Sequence, residues 1–156
     1  MLLAPKDIMP RKPSGLPPKV HYRRAPAWCA QLTALVERAA QIAKEKRIYL
    51  THAIEWGGQV NTAGVVQAVL IQAALRVHEI KPEQWTRYMD TYGAMVFTGE
   101  TKGIVFDERS LTSFREVGKA MIEQPHSDDI KMTWRGEYHY PLVITIALMW
   151  FIDTYQ

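Results

Sequence analysis

Residues 141–153 read Pro-Leu-Val-Ile-Thr-Ile-Ala-Leu-Met-Trp-Phe-Ile-Asp, and between Pro141 and Asp153 only Thr145 is polar. A segment that is apolar around its whole circumference has to be buried around its whole circumference. Pro141 suits the first helical position, where its missing N–H leaves no bond unmade. Val143, Ile144, Thr145 and Ile146 are β-branched and would also suit a buried strand, but strands usually stop near about six residues. A membrane span fails on length: about twelve helical residues cover roughly 18 Å, against about 30 Å of hydrocarbon. The stretch therefore predicts a central helix over 142–153.

The pattern upstream of this helix is a hairpin. Ile130, Met132 and Trp134 alternate with Lys131 and Thr133, Tyr138 and Tyr140 alternate with Glu137 and His139, and Arg135-Gly136 lies between the runs. Before it, Asp107 or Ser110 caps a helix carrying Leu111, Phe114, Val117, Met121 and Ile122 at helical spacing, closed by Pro125. The short apolar runs 94–97 and 104–106, separated by Thr98-Gly-Glu-Thr-Lys-Gly103, predict a second hairpin.

Three helices precede that hairpin. The first starts at Ala27 and aligns Trp28, Leu32, Leu35, Val36, Ala39, Ile42 and Ala43 in one stripe. Residues 48–56 either extend it or form a short second helix, and Gly57-Gly58 ends it. The next is capped by Asn61 and runs from Thr62 to about Glu79, with so wide an apolar face that it should be largely buried. Pro82 opens the third, with Trp85, Tyr88, Met89 and Tyr92 on one side and Gly93 at its end.

The fold class that results is α+β, mainly helical: about five helices and two short β-hairpins packed around a buried C-terminal helix. Residues 27–156 form one globular domain, a size that needs no staples. Composition agrees, at 47% hydrophobic and 22% charged. Cys29 is the only cysteine, so neither an intrachain disulfide nor a cysteine-based zinc site is expected. A reducing setting, cytoplasmic or another intracellular compartment, fits that usage, and the first residues show no secretory h-region.

Residues 1–26 differ in kind. They hold six of the nine prolines and carry Lys6, Arg11, Lys12, Lys19, Arg23 and Arg24 against Asp7 alone, a charge of +5 that leaves −2 for the remainder of a +3 chain. Proline fixes φ and removes a donor, so an extended arm is expected rather than helix or central strand. A basic arm on a mildly acidic body points to an anionic partner. Lys6, Arg11, Lys12, Lys19, Tyr22, Arg23 and Arg24 are the candidate contacts; 19–24, Lys-Val-His-Tyr-Arg-Arg, interleave charge with aromatic surface as phosphate contact and base stacking require.

The first functional expectation is a non-catalytic binding or assembly protein that uses this arm to engage a partner subunit or nucleic acid within a larger complex. A homo-oligomer is compatible with it, and no membrane partner or cofactor is implied. The second expectation is a small metal-dependent hydrolase drawing on His52, Glu55, His78, Glu79, His126 and Asp128, whose spacing matches no established ligand motif. The third is a helix-based, sequence-specific DNA-binding protein reading bases through Gln67, Gln72 and Arg76, although core packing accounts better for so apolar a helix. Neither Cys29 nor the glycine-containing segment 98–103 has the neighbours that nucleophilic catalysis or a phosphate cradle would need, which weighs against an enzyme.

Overall fold

A computed structural model describes residues 22–126 and 130–156. Five helices make up most of it: α1 Ala30–Glu45, α2 Thr62–Leu75, α3 Pro82–Gly93, α4 Glu108–Ile122 and α5 Tyr140–Tyr155. A short 3₁₀ turn, Val77–Glu79, follows α2. Six short strands pair two by two: β1 Tyr22–Arg24 with β4 Ile104–Phe106, β2 Glu55–Trp56 with β3 Gln59–Val60, and β5 Thr133–Trp134 with β6 Glu137–Tyr138. The architecture is α+β and mainly helical.

α5 is the axis. Every residue from Tyr140 to Ile152 is buried except Met149, which is half-buried, and the helix packs against each of the other four. Its polar interior residue Thr145 gives its hydroxyl proton to the Pro141 carbonyl at 2.7 Å, so that hydroxyl is not left unpaired in the core. Among the described residues no helix is long and apolar enough to cross a membrane.

The helix signals act as expected. Asn61 Oδ1 accepts from Gly64 N at 3.2 Å and caps α2; Asp107 Oδ1 accepts from Ser110 N at 2.8 Å and caps α4. The buried stripe of α1 is Leu32, Val36, Ala39, Ala40, Ile42 and Ala43, and α2 is buried on nearly every face. The hairpin around Arg135 and Gly136 forms, with both turn residues at positive φ.

Three expectations need correction. The run 94–97 does not pair with 104–106. β4 instead takes β1 as its antiparallel partner, Tyr22 opposite Phe106 and Arg24 opposite Ile104. The same register continues past the strands: Ala27 bridges Thr101, Lys102 N donates to the Pro26 carbonyl at 3.0 Å, and Trp28 N donates to Glu100 O at 2.8 Å. Residues 22–28 are thus an extended ribbon, tolerated beside Pro26 because a two-stranded edge asks for few donors. For the same reason α1 starts at Ala30 rather than Ala27: residues 26–28 are already bonded to 100–102. Second, residues 55–60 form a hairpin, with Gly57 and Gly58 at φ 59° and 81° as its two-residue turn, the geometry that demands positive φ at both positions. Third, α2 stops at Leu75 because Arg76 leaves helical geometry, and 77–79 turn separately.

Candidate functional site

The ribbon fixes where the arm meets the body. Phe106, opposite Tyr22, is followed by Asp107, and Asp107 is the hub of a small polar knot. Its backbone N–H donates to Gln67 Oε1 at 3.0 Å, and its carboxylate accepts from Ser110 N through Oδ1 and from His52 Nε2 through Oδ2, each at 2.8 Å. A carboxylate only accepts, so the His52 proton on this bond sits on Nε2; Nδ1 lies 2.8 Å from the Thr51 hydroxyl. Burial pushes the Asp107 carboxyl up, but the bonds from Ser110 and His52 outweigh it and hold the group below its ordinary value.

This knot anchors the segment that follows α1. Arg47, at φ 55°, turns the chain out of the helix. Lys44 Nζ meets Glu55 Oε2 at 2.8 Å and fastens the 55–60 hairpin to the end of α1. Asn61 closes the loop from the other side, donating from Nδ2 to Ala53 O at 2.9 Å and from its backbone to Ile54 O at 2.8 Å. Two large aromatic side chains project from this braced unit: Tyr49 is 84% exposed and Trp56 77%. Lys46 and Arg47, just before Tyr49 in the chain, are exposed and in no ion pair among the described residues.

A second feature lies at the other end of the ribbon. A cavity of about 410 Å³ is lined by Ala25, Pro26, Ala27, Trp134, Glu137, His139, Tyr140 and Pro141. His139 Nε2 lies 2.8 Å from the Tyr92 hydroxyl, and burial first, then Lys131, depresses its pKa. Trp134 is half exposed, but Lys131 Nζ and the Arg135 guanidinium already stand 5.5 and 5.3 Å from its ring centroid. Glu137 is held by Arg115 at 2.7 Å.

Comparison with protein-family models, with curated proteins and with solved structures finds no match to this chain. The functional reading therefore rests on the geometry.

The arm residues Lys6, Arg11, Lys12 and Lys19 lie outside the described residues; Tyr22, Arg23 and Arg24 form β1. The residues of the hydrolase reading do not come together. His52 is bonded to Asp107, Glu55 to Lys44, and Glu79 pairs with Arg76 at 3.6 Å. His78 sits at a separate surface recess with Glu116 and Glu123, His126 lies in a loop, and Asp128 is outside the described residues. Among the described residues no group of three or more His, Cys, Asp or Glu side chains could hold a metal ion. The base-reading candidates fare no better. Gln67 is 8% exposed, and its amide is committed to Ala63 O and Asp107 N. Gln72 is half-buried, and of the three only Arg76, past the end of α2, is exposed, where it pairs with Glu79.

Tyr49, Trp56, Lys46 and Arg47 were not singled out by sequence reasoning. The signal was present: Gly57-Gly58 flanked by two residue pairs is hairpin chemistry as much as a helix stop.

Proposed function

We propose that this chain is a non-catalytic binding or assembly protein that engages an anionic partner, nucleic acid or an acidic face of a partner subunit, through its basic N-terminal arm. The observation that carries the reading is the ribbon of residues 22–28 against 100–106. It joins the root of the arm to the body at Phe106, one residue from the Asp107–His52 knot. The +5 segment thus runs into a ribbon whose partner strand leads to Asp107, the carboxylate that holds His52 in the loop after α1. The arm then offers one sign of charge to the partner, an arrangement that steers and orients a polyanion.

The test is a set of binding isotherms at several salt concentrations for the full chain and for a chain lacking residues 2–21, with single-stranded and duplex nucleic acid as partners. Loss of affinity on truncation, and a log–log salt slope that shrinks when Arg23 and Arg24 are changed to Ala, are expected because each phosphate contact releases counterions. Equal affinity of both proteins for every partner would make the arm a bystander.

A further inference from the structure

We infer that Thr51 is a covalent modification site: its hydroxyl, with His52 as general base and Asp107 as positioning residue, takes the acyl group of an activated ester or thioester. The inference goes beyond the binding reading and does not depend on it.

Geometry is the first argument. Thr51 Oγ1 lies 2.8 Å from His52 Nδ1, and His52 Nε2 lies 2.8 Å from Asp107 Oδ2. Hydroxyl, imidazole and carboxylate form one chain of hydrogen bonds. A weak nucleophile is activated in this order, by a base within hydrogen-bond reach that a third group orients. The carboxylate only accepts, so the neutral imidazole carries its proton on Nε2. Nδ1 is then bare and accepts the Thr51 proton.

Positioning is the second. Asp107 Oδ1 accepts from Ser110 N at 2.8 Å, Asp107 N donates to Gln67 Oε1 at 3.0 Å, and Gln67 Nε2 donates to Ala63 O at 3.2 Å. Outer contacts of this kind keep reacting groups in place. The bonds from Ser110 and His52 hold the Asp107 carboxyl below its ordinary value. It is therefore ionised at neutral pH and stabilises the imidazolium that forms when the ring takes a proton.

Access is the third. Thr51 is exposed, while the His52 side chain is 20% open. A donor reaches the hydroxyl from solvent, and the ring stays mostly sheltered. Anchoring the loop to α4 asks only for the bond between His52 and Asp107. The hydroxyl on the other ring nitrogen is additional to it.

The chemistry of the step selects the donor. Thr51 Oγ1 bonds to the donor's carbonyl carbon as its proton passes to Nδ1. The C–O or C–S bond of the donor breaks, the leaving oxygen or sulfur departs with the electron pair, and Nδ1 gives its proton to solvent. A phenolate or thiolate leaves in this way unaided. An amide nitrogen would need a further acid to protonate it.

The experiment treats the full chain with p-nitrophenyl acetate, follows p-nitrophenolate release and locates the acetyl group by peptide mass spectrometry. One acetyl group on Thr51 is expected. Thr51→Ser should keep the adduct, and Thr51→Val should lose it at unchanged melting temperature. His52→Gln should slow acetylation by about 10²- to 10⁴-fold, the usual contribution of a positioned base. Asp107→Asn, which keeps a cap on α4, should slow it as well. Nitrogen-15 NMR in mildly alkaline buffer should find the His52 proton on Nε2 in the wild type and shared between the two nitrogens in Asp107→Asn. Acetyl groups on lysines but not on Thr51 would overturn the inference, and so would equal rates for wild type and His52→Gln. A wild-type ring protonated on Nδ1 would also overturn it, whether or not any variant folds.

Discussion

His52 Nε2 donates to Asp107 Oδ2 at 2.8 Å, joining two residues 55 positions apart. Asp107 is also the cap of α4, so one carboxylate ties the loop after α1 to the start of a distant helix. Its folded-state pKa is lowered. A depressed carboxyl contributes stability above its unfolded value, near about pH 4, and loses it as pH falls through the folded value. Asparagine caps helices well, so Asp107→Asn isolates the charge. With that side chain 42% exposed, the variant should lose only about 0.5–1 kcal/mol at neutral pH and show a flatter acid limb in urea unfolding followed from pH 5 downwards.

His139 behaves in the opposite chemical sense with the same direction of pH dependence. Burial and Lys131 lower its pKa, so the folded protein prefers the neutral ring, with Nε2 at the Tyr92 hydroxyl. The unfolded chain binds a proton first, near about pH 6.5. Stability should therefore be flat above that value and fall as pH drops from it toward the folded-state pKa. Thermal melts of wild type and His139→Gln between pH 7.5 and 5 check this; the variant should lose the slope in that window.

Glycine-to-alanine changes should differ in sign by position. A Cβ at Gly118 would collide with the Tyr138 ring, and one at Gly64 would collide with the Ala53 backbone carbonyl. Each should destabilise by about 1–3 kcal/mol or more, as overpacking does, Gly64→Ala the more severely because backbone cannot swing aside. Gly93, in the last turn of α3, has nothing within 4 Å of a built Cβ and no positive φ, so Gly93→Ala should be neutral or gain up to about 1 kcal/mol. Equilibrium unfolding of the three variants reads this directly.

Truncation should show a threshold inside the arm. Removing residues 2–21 leaves the ribbon whole and should leave the melting temperature unchanged. Removing residues 2–24 strips β4 of its partner. Each backbone bond lost costs about 0.5–1.5 kcal/mol, and each kcal/mol lowers Tm by about 2–4 °C at this chain length. Scanning calorimetry on the two proteins distinguishes these outcomes.

What was legible in the sequence is whatever depends on near neighbours. The all-round apolar run of α5, the caps Asn61 and Asp107, and the Arg135-Gly136 turn each carry their instruction within a few residues. The partner of β4 is not of that kind. Residues 94–97 and 22–24 both suit a short extended segment, and only the position of Ile104 and Phe106 over the core, both buried while Val105 points outward, decides which edge is filled. The exposure of Trp56 was not legible for a related reason. Trp56 counts as apolar in any periodicity, and nothing local says that its hairpin stands clear of the body. Likewise Gln67 is polar in the sequence, yet it is spent inside the protein on Asp107.

The buried axis has a consequence for how the chain acquires its shape. α5 comes after the four helices it binds together, so the apolar faces of Val36, Val69, Trp85 and Phe114 are laid down before the element that joins them exists. Ordering those helices early would leave a shell around a void, and the decisive contacts close long loops rather than short ones. Folding should therefore be slow for so helical a protein. During synthesis the sticky inner surfaces wait for Leu142 to Ile152 to arrive, which is the interval in which a chaperone would matter most.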